Sequence, residues 1–326
     1  MHQGRKNPES VGLGIDLGGT KIAGALFNSE GLVSPEKVVY LENKTGHQVV
    51  KLMYNLVDSF LDWSSKNNFE LKSIGLAVPG IYHSKTGCVW APNIPEWDNL
   101  PLLEELKGKF DDLDICMDND RACYILGETW KGAAIGCKHA IFLAVGTGIG
   151  TGILIDGQIL RGADDIAGSI GWLALTDPFL SAYGKYGCFE YHASGPGLSR
   201  MAKHLYLQDP GLFKDLDPSA IGQMTASDIF KASKEGNLLA EKVIAQAIRF
   251  WGKASANLVS LFNPEIIIFG GGVFGPAIQF LDEIYLEAKK WAQPISIQKV
   301  RFLPSKLGGK AGLFGAGILS LQSRNT

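Results

Sequence analysis

The chain has 326 residues, is 46% hydrophobic and 20% charged, and carries a formal net charge of −2. That length exceeds the roughly 250–300 residues at which a single core stops growing, so two domains are expected, of ordinary soluble composition. No basic block faces a nucleic acid, no apolar run suits a membrane span, and the five scattered cysteines form neither a CxxC pair nor a disulfide framework.

The polar start, MHQGRKNPES, lacks an apolar signal core, so a cytoplasmic protein is expected. Residues 11–18 alternate Val11, Leu13, Ile15 and Leu17 with Gly12, Gly14, Asp16 and Gly18, which predicts a strand with one bulky and one bare face. Residues 21–27 and 32–41 read as the next strands, and 49–63 as a helix. Strands follow at 73–78 and 113–117, then a helix at 121–131. The pattern restarts with a strand at 140–145, a glycine turn GTGIGTG, a strand at 153–155 and an Asp156-Gly157 hairpin turn. A long helix at 240–262, a buried strand at 266–269, a helix at 276–291, a strand at 299–302 and a helix at 309–321 complete the chain. Strands alternating with helices indicate an α/β protein built as two similar halves.

Four glycine-rich sites carry possible chemistry. At Asp16-Leu17-Gly18-Gly19-Thr20 the glycines let backbone N–H groups face a phosphate, Thr20 adds a hydroxyl, and Asp16 suits Mg²⁺. A plain hairpin with a polar rim explains the same residues. Gly146-Thr147-Gly148 repeats the pattern, and two such turns facing across a cleft would hold successive phosphates. Gly270-Gly271-Gly272-Val273-Phe274-Gly275 fits G-x-G-x-x-G, yet no acid ends the following strand to hold a ribose, which argues against a nicotinamide dehydrogenase. Adenosine resting on the turn explains it better. The fourth site, residues 308–316, places small residues along a helix and reads as close packing, with room for a hinge.

In order, GIDLGGTKIAGAL, VPG, APNIPEW, Asn119-Asp120, GTGIGTG, FNPEIIIFGGG and AGLFGAG resemble the ROK family over about Gly12 to Leu321. The resemblance implies a two-domain actin-like ATPase (ribonuclease H-like) fold, each domain a mixed sheet flanked by helices. The first domain would be 10–121 plus 309–326; the second, 122–308, would be the nucleotide and dimerisation side. It implies an ATP- and Mg²⁺-dependent carbohydrate kinase acting on a sugar hydroxyl, usually the 6-OH, and a homodimer. Asp120 would be the general base, with Asp118 a rival by proximity; from the residues alone, an acid at 120 suits a helix N-cap equally. Asp16, Gly18, Gly19, Thr20, Lys21, Gly146, Thr147, Gly148, Gly270, Gly271 and Gly272 would serve the nucleotide, Asp16 reaching magnesium through water. Gly80, Asn93, Asn119, Ser169 and Glu190 would meet the sugar, although Asn93 also suits a turn between Pro92 and Pro95. The family's repressors carry a helix-turn-helix ahead of the first strand, and only about ten residues precede it here, so the resemblance is to the enzymes. The alternative is a catalytically inactive sugar-binding regulator.

Two departures stand out. The family's AGE-IGH segment appears as Ala167-Gly168-Ser169-Ile170-Gly171-Trp172, with serine for the sugar-contacting glutamate and tryptophan for the zinc-binding histidine. Of the zinc run CxCGxxGCxE, here residues 181–190, only Cys188 remains as a ligand. Structural zinc needs four ligands, so none is expected. Trp172 and Tyr183 are expected to fill the space by aromatic packing, with His192 a surface or helix residue. Glucose specificity is not inherited through Ser169.

Overall fold

The computed structural model describes residues 7–213 and 217–322. The first six residues and the last four of the 309–326 segment lie outside the described residues. The strands are β1 (Glu9–Leu17), β2 (Lys21–Asn28), β3 (Gly31–Leu32), β4 (Lys37–Tyr40), β5 (Phe69–Val78), β6 (Ile81–His83), β7 (Cys88–Trp90), β8 (Asp114–Asn119), β9 (Ala140–Val145), β10 (Ile149–Ile155), β11 (Gln158–Ile159), β12 (Ile266–Gly270) and β13 (Arg301–Pro304). One sheet runs β3-β2-β1-β5-β8 with β4 also on β2, a second runs β11-β10-β9-β12-β13, and β6 and β7 pair as a two-stranded ribbon. In each of the two larger sheets, an antiparallel hairpin (β1–β2 or β9–β10) is followed by parallel partners (β5 and β8, or β12 and β13). Each is a mixed sheet flanked by helices, the actin-like plan. Among the described residues no helix is long and apolar enough to cross a membrane.

The chain divides into two compact units. The first runs to Ile135 and takes in Arg161–Ala167 and the chain from Gly309; the second is Gly136–Leu160 with Gly168–Gly308. The helix Asp120–Lys131 thus belongs to the first unit rather than opening the second at residue 122. The cause is packing. Gly127 and Cys123 lie against Gly315 of the closing helix Ala311–Gln322, where a Cβ on Gly315 would stand 2.7 Å from Cys123 Cα.

Both faces of β1 follow its alternation. Val11, Leu13, Ile15 and Leu17 are buried in a core with Val49, Val50, Met53, Val57 and Phe60 of the helix Gly46–Lys66. The bare face takes the closing helix, because without side chains at Gly12, Gly14 and Gly75 backbone can approach backbone. A Cβ on Gly14 would lie 2.7 Å from Gly317 N, and one on Gly75 would lie 2.6 Å from Ser320 N.

Several predicted elements shift for local reasons. The strand expected at 32–41 breaks into β3 and β4 at Pro35, which has no ladder N–H. Ser34 Oγ instead accepts the Leu26 N–H at 2.9 Å. GTGIGTG is a turn only at residues 146–148, since β10 begins at Ile149. The helix expected at 276–291 opens as a 3₁₀ turn, Pro276–Phe280, before the α-helix Leu281–Lys289. The strand expected at 299–302 lies at Arg301–Pro304.

The seam gives a paired prediction. Gly75→Ala, whose Cβ meets backbone that has no room to yield, is expected to lose roughly 1–3 kcal/mol in urea unfolding. Gly108→Ala, exposed in the helix Leu102–Lys109 with nothing within 4 Å, is expected to gain about 0.5–1 kcal/mol. Equal effects at the two positions would contradict the seam.

Candidate active site

Asp16 follows from the register of β1. With Ile15 and Leu17 turned into the core, its side chain shares the face of Gly12 and Gly14 and meets the first turn of the closing helix. A Cβ on Gly312 would lie 2.5 Å from Asp16 Oδ2. A helix start favours an anion by at most about 2 kcal/mol, roughly 1.5 pKa units. Burial outweighs it and, with the neighbouring Asp120 charge and Glu36, raises the Asp16 pKa to about 7 against the pull of Lys21.

Asp120 is the first residue of its helix, not the cap. The cap is Asn119, whose Oδ1 accepts the Ala122 N–H at 2.9 Å. The Asp120 carboxylate is left to a different set of partners. Arg121 N–H donates to Oδ1 at 2.8 Å and the Tyr124 hydroxyl donates to Oδ2 at 3.2 Å, with Arg121 Nε 3.9 Å from Oδ1. Burial raises its pKa despite these contacts. Neighbouring acids with raised pKa values, one of them raised in part by the other's charge, are a recurrent mark of acid–base sites. Tyr124 had a readable signal, standing four residues after Asp120 on a predicted helix.

The remaining first-unit residues lie around this pair. Gly80, at φ +80°, turns its carbonyl to accept from Arg121 Nη2 at 3.2 Å. Asn119 is buried and engaged: besides capping the helix, its Nδ2 donates to Asp118 Oδ1 at 3.3 Å. The β1–β2 turn closes through Gly18 N–H on the Lys21 carbonyl at 2.9 Å, leaving Gly19, Thr20 and Lys21 exposed. Asn93 lies beside Gly19, and both line a cavity of about 380 Å³ with Thr20 and Lys44. The rim of that cavity includes Glu42 and Asn43, both left-handed, which sequence reading passed over.

The second unit has its own cavity, about 790 Å³, that brings Gly146, Thr147 and Gly272 together. Two helix starts border it. Ser194 caps the helix Gly195–Gln208 through the Gly197 N–H, and Thr225 caps the helix Ala226–Lys234. Helix starts and glycine turns both present N–H groups to anions. Met224, Phe230, Val273 and Pro276 make the apolar part of the wall. Gly270 and Gly271 shape the turn: a Cβ on Gly270 would strike the Phe142 ring, and Gly271 has φ +88°. Gly148 lies behind the turn against Glu190, whose Oε2 accepts the Ile149 N–H at 2.7 Å. Burial raises the Glu190 pKa, opposed by that bond and by Arg200. Ser169 lies two residues before Gly171, which itself abuts Glu190. The segment 222–227 was not foreseen; Ser194 before Gly195-Pro196 was a readable helix start.

In the zinc-run segment one expectation is corrected. Trp172 does not pack inward; it is 58% exposed, whereas Tyr183 is 5% exposed. The inward aromatic partner is His192, stacked on Phe250 with ring centroids 4.5 Å apart and its Nε2 2.6 Å from the Tyr183 hydroxyl oxygen. His192 is a helix residue, as expected, but half-buried rather than on the surface. Burial, then His204 and Arg200, lower its pKa to about 4. Neutral at pH 7, it can accept a hydrogen bond from the Tyr183 hydroxyl. Cys188 Sγ accepts the Leu175 N–H at 3.5 Å. Among the described residues no group of three or more His, Cys, Asp or Glu is placed to hold a metal.

The model of the ROK family matches residues 12–323. A glucokinase of Halalkalibacterium halodurans is 32% identical over 96% of each chain. A xylose repressor of Caldicellulosiruptor bescii is 32% identical over 84% of this chain and 68% of its own. Among solved structures, a ROK family glucokinase from Streptomyces griseus in complex with glucose and AMPPNP is 29% identical with a TM-score of 0.74, covering 96% of this chain and 99% of that one.

The raised pKa of Asp16 has a stability consequence of definite sign. The folded chain keeps this proton up to about pH 7, while the unfolded chain releases it near the ordinary 3.8, so stability falls as pH rises between those values. Asp16→Asn is therefore expected to melt higher than wild type at pH 8, with the two curves converging towards pH 4. Equal melting temperatures at pH 8 would contradict the buried, repelled carboxylate.

Proposed function

The chain belongs to the ROK family, and we propose that it is an ATP-dependent carbohydrate kinase transferring the γ-phosphoryl group to a sugar hydroxyl, the 6-OH of a hexose. The observation that carries this reading is the division of labour at the start of the helix Asp120–Lys131. Asn119 takes the capping task, so the Asp120 carboxylate is free of it and is oriented by Tyr124 and the Arg121 N–H. Phosphoryl transfer asks of the protein mainly positioning, charge stabilisation and a base for the attacking hydroxyl. A carboxylate with raised pKa is a better proton acceptor once ionised, and Asp120 fills that role.

The residues present suit the co-substrate. Gly146, Thr147 and Gly272, with the two bordering helix starts, would hold phosphates, and the wall of Met224, Phe230, Val273 and Pro276 would hold adenosine. Gly18, Gly19 and Thr20 offer a second phosphate turn. Asp16, kept ionisable near neutrality, would hold Mg²⁺ through water. ATP with Mg²⁺ supplies the phosphoryl group and offsets its charge. Gly80, Asn93, Asn119 and Glu190 are assigned to the sugar, Asn119 through what its two bonds leave available. Ser169 leaves space that makes the hexose an open choice. Exposed Leu261, Leu286, Trp291 and Ile295 on the second unit support a homodimer; sedimentation at the mass of one chain would contradict it.

The second reading, a sugar-binding regulator without catalysis, is favoured by the similarity to the xylose repressor. ADP release with ATP and Mg²⁺ across a panel of hexoses and amino sugars separates the two. Sugar-dependent turnover is expected, falling by at least about 10²-fold in Asp120→Asn. Sugar binding without turnover would instead support the regulator.

The Tyr183–His192–Phe250 cluster takes the place of a metal in the zinc-run segment, so no zinc is expected. Metal analysis returning one zinc per chain would overturn that.

A further inference from the structure

Asp118, two residues before Asp120, is the most enclosed acid near the site. Its side chain is 3% exposed. Oδ1 accepts the Asn119 N–H at 2.8 Å and Asn119 Nδ2 at 3.3 Å, and Oδ2 accepts Arg161 Nη2. Asn119 Oδ1 in turn accepts the Ala122 N–H at 2.9 Å, which fixes the start of the helix. A continuous chain of contacts therefore runs from Arg161 through Asp118 and Asn119 to the turn that carries Asp120.

Arg161 comes from the segment Arg161–Ala167, which is fastened to the first unit independently. Ser84 N–H and Oγ donate to Asp165 Oδ2 at 2.9 and 3.0 Å, and Lys85 Nζ donates to the Ala163 carbonyl at 3.2 Å. The Ala167 N–H closes the segment onto the Arg161 carbonyl at 3.0 Å. The backbone that carries Arg161 is thus anchored to the first unit independently of the ion pair. An exposed ion pair contributes little, but removing the partner of a buried carboxylate forces it to protonate or rearrange. Either response alters what Asp118 offers to Asn119, which needs an acceptor for two N–H groups. Asp118 thus divides its carboxylate, one oxygen holding Asn119 and the other held by Arg161.

We propose that Arg161 and Asp118 are positioning residues for Asp120: the pair locks the Asn119 side chain into its cap and thereby sets the direction of the Asp120 carboxylate. This rests on the kinase reading for its catalytic consequence, but its structural content does not. The test is Arg161→Met, Arg161→Lys, Asp118→Asn and the double variant Arg161→Met/Asp118→Asn, assayed for turnover and for amide exchange at Ala122. Arg161→Met is expected to lose about tenfold to hundredfold in kcat, with both KM values within about threefold. Arg161→Lys, which keeps the charge, is expected to recover most of that loss. The double variant is expected to lose no more than Asp118→Asn alone, because both changes break one chain. Exchange at Ala122 is expected to speed up in Arg161→Met and not in Arg161→Lys.

Unchanged kcat, a raised KM, or losses that multiply in the double variant would overturn the proposal. Should Arg161→Met fail to fold, Arg161→Gln carries the same comparisons. Absence of turnover in wild type with every sugar would sink the kinase reading alone. The positioning chain would then stand or fall on exchange at Ala122, and unchanged protection there would overturn it.

Discussion

The arrangement depends first on one seam, the seating of the closing helix on the glycine face of β1 and β5. Gly12, Gly14 and Gly75 on the sheet meet Ser320, Gly317 and Ala316 of the helix at separations that leave no room for a Cβ on the glycines, and Gly312 of the same helix meets Asp16. That contact puts the start of the closing helix against Asp16. On its other side the same helix receives Cys123 and Gly127, which sets the position of the helix headed by Asp120. Two acids more than a hundred residues apart in sequence thus come to feel each other's charge. Their raised pKa values follow from this packing: both carboxylates are partly withdrawn from water by elements that approach closely because their side chains are small.

Within that frame the short run Asp118-Asn119-Asp120 divides three tasks among three similar residues. Asp118 is enclosed and paired with Arg161, Asn119 satisfies the orphan Ala122 N–H at the helix start, and Asp120 keeps a carboxylate aimed by Tyr124. Exchanging any two would leave a buried polar group without its partner, a costly arrangement in a low-dielectric setting. The second unit repeats the sheet plan but uses it differently. Its glycine turn, two helix starts and apolar wall surround the larger cavity, whereas the first unit invests in charge.

Much of this was legible in the sequence where periodicity and turn chemistry act locally. The alternation of Val11 to Leu17 predicted both faces of β1, and its glycines correctly marked the bare one. Asp16 and Asp120 stood out as acids at strand ends, but the sequence left Asp120 undecided between cap and base, because an aspartate just before the helix suits a cap equally well. The hydrogen bond from Ala122 N–H to Asn119 Oδ1 gives the cap to Asn119, a residue not considered for it. The break at Pro35 was readable and passed over. What could not be read was non-local. Arg161 and Asp165 look like ordinary loop residues until the fold sets them on Asp118 and Ser84. Trp172 was expected inside because it stands at the position of the family's zinc-binding histidine, yet the inward ring is His192, which stacks on Phe250 from the distant helix Leu238–Phe262.

The central claim is that Asp16 and Asp120 form one electrostatic unit in the folded chain. NMR titration of the Asp16 carboxyl carbon, in wild type and in Asp120→Asn, tests it most directly. The account predicts a wild-type midpoint near 7, falling in the variant but staying above the ordinary carboxylate range because burial is the larger cause. A wild-type midpoint near 4, indifferent to Asp120, would contradict the pairing and the site built on it.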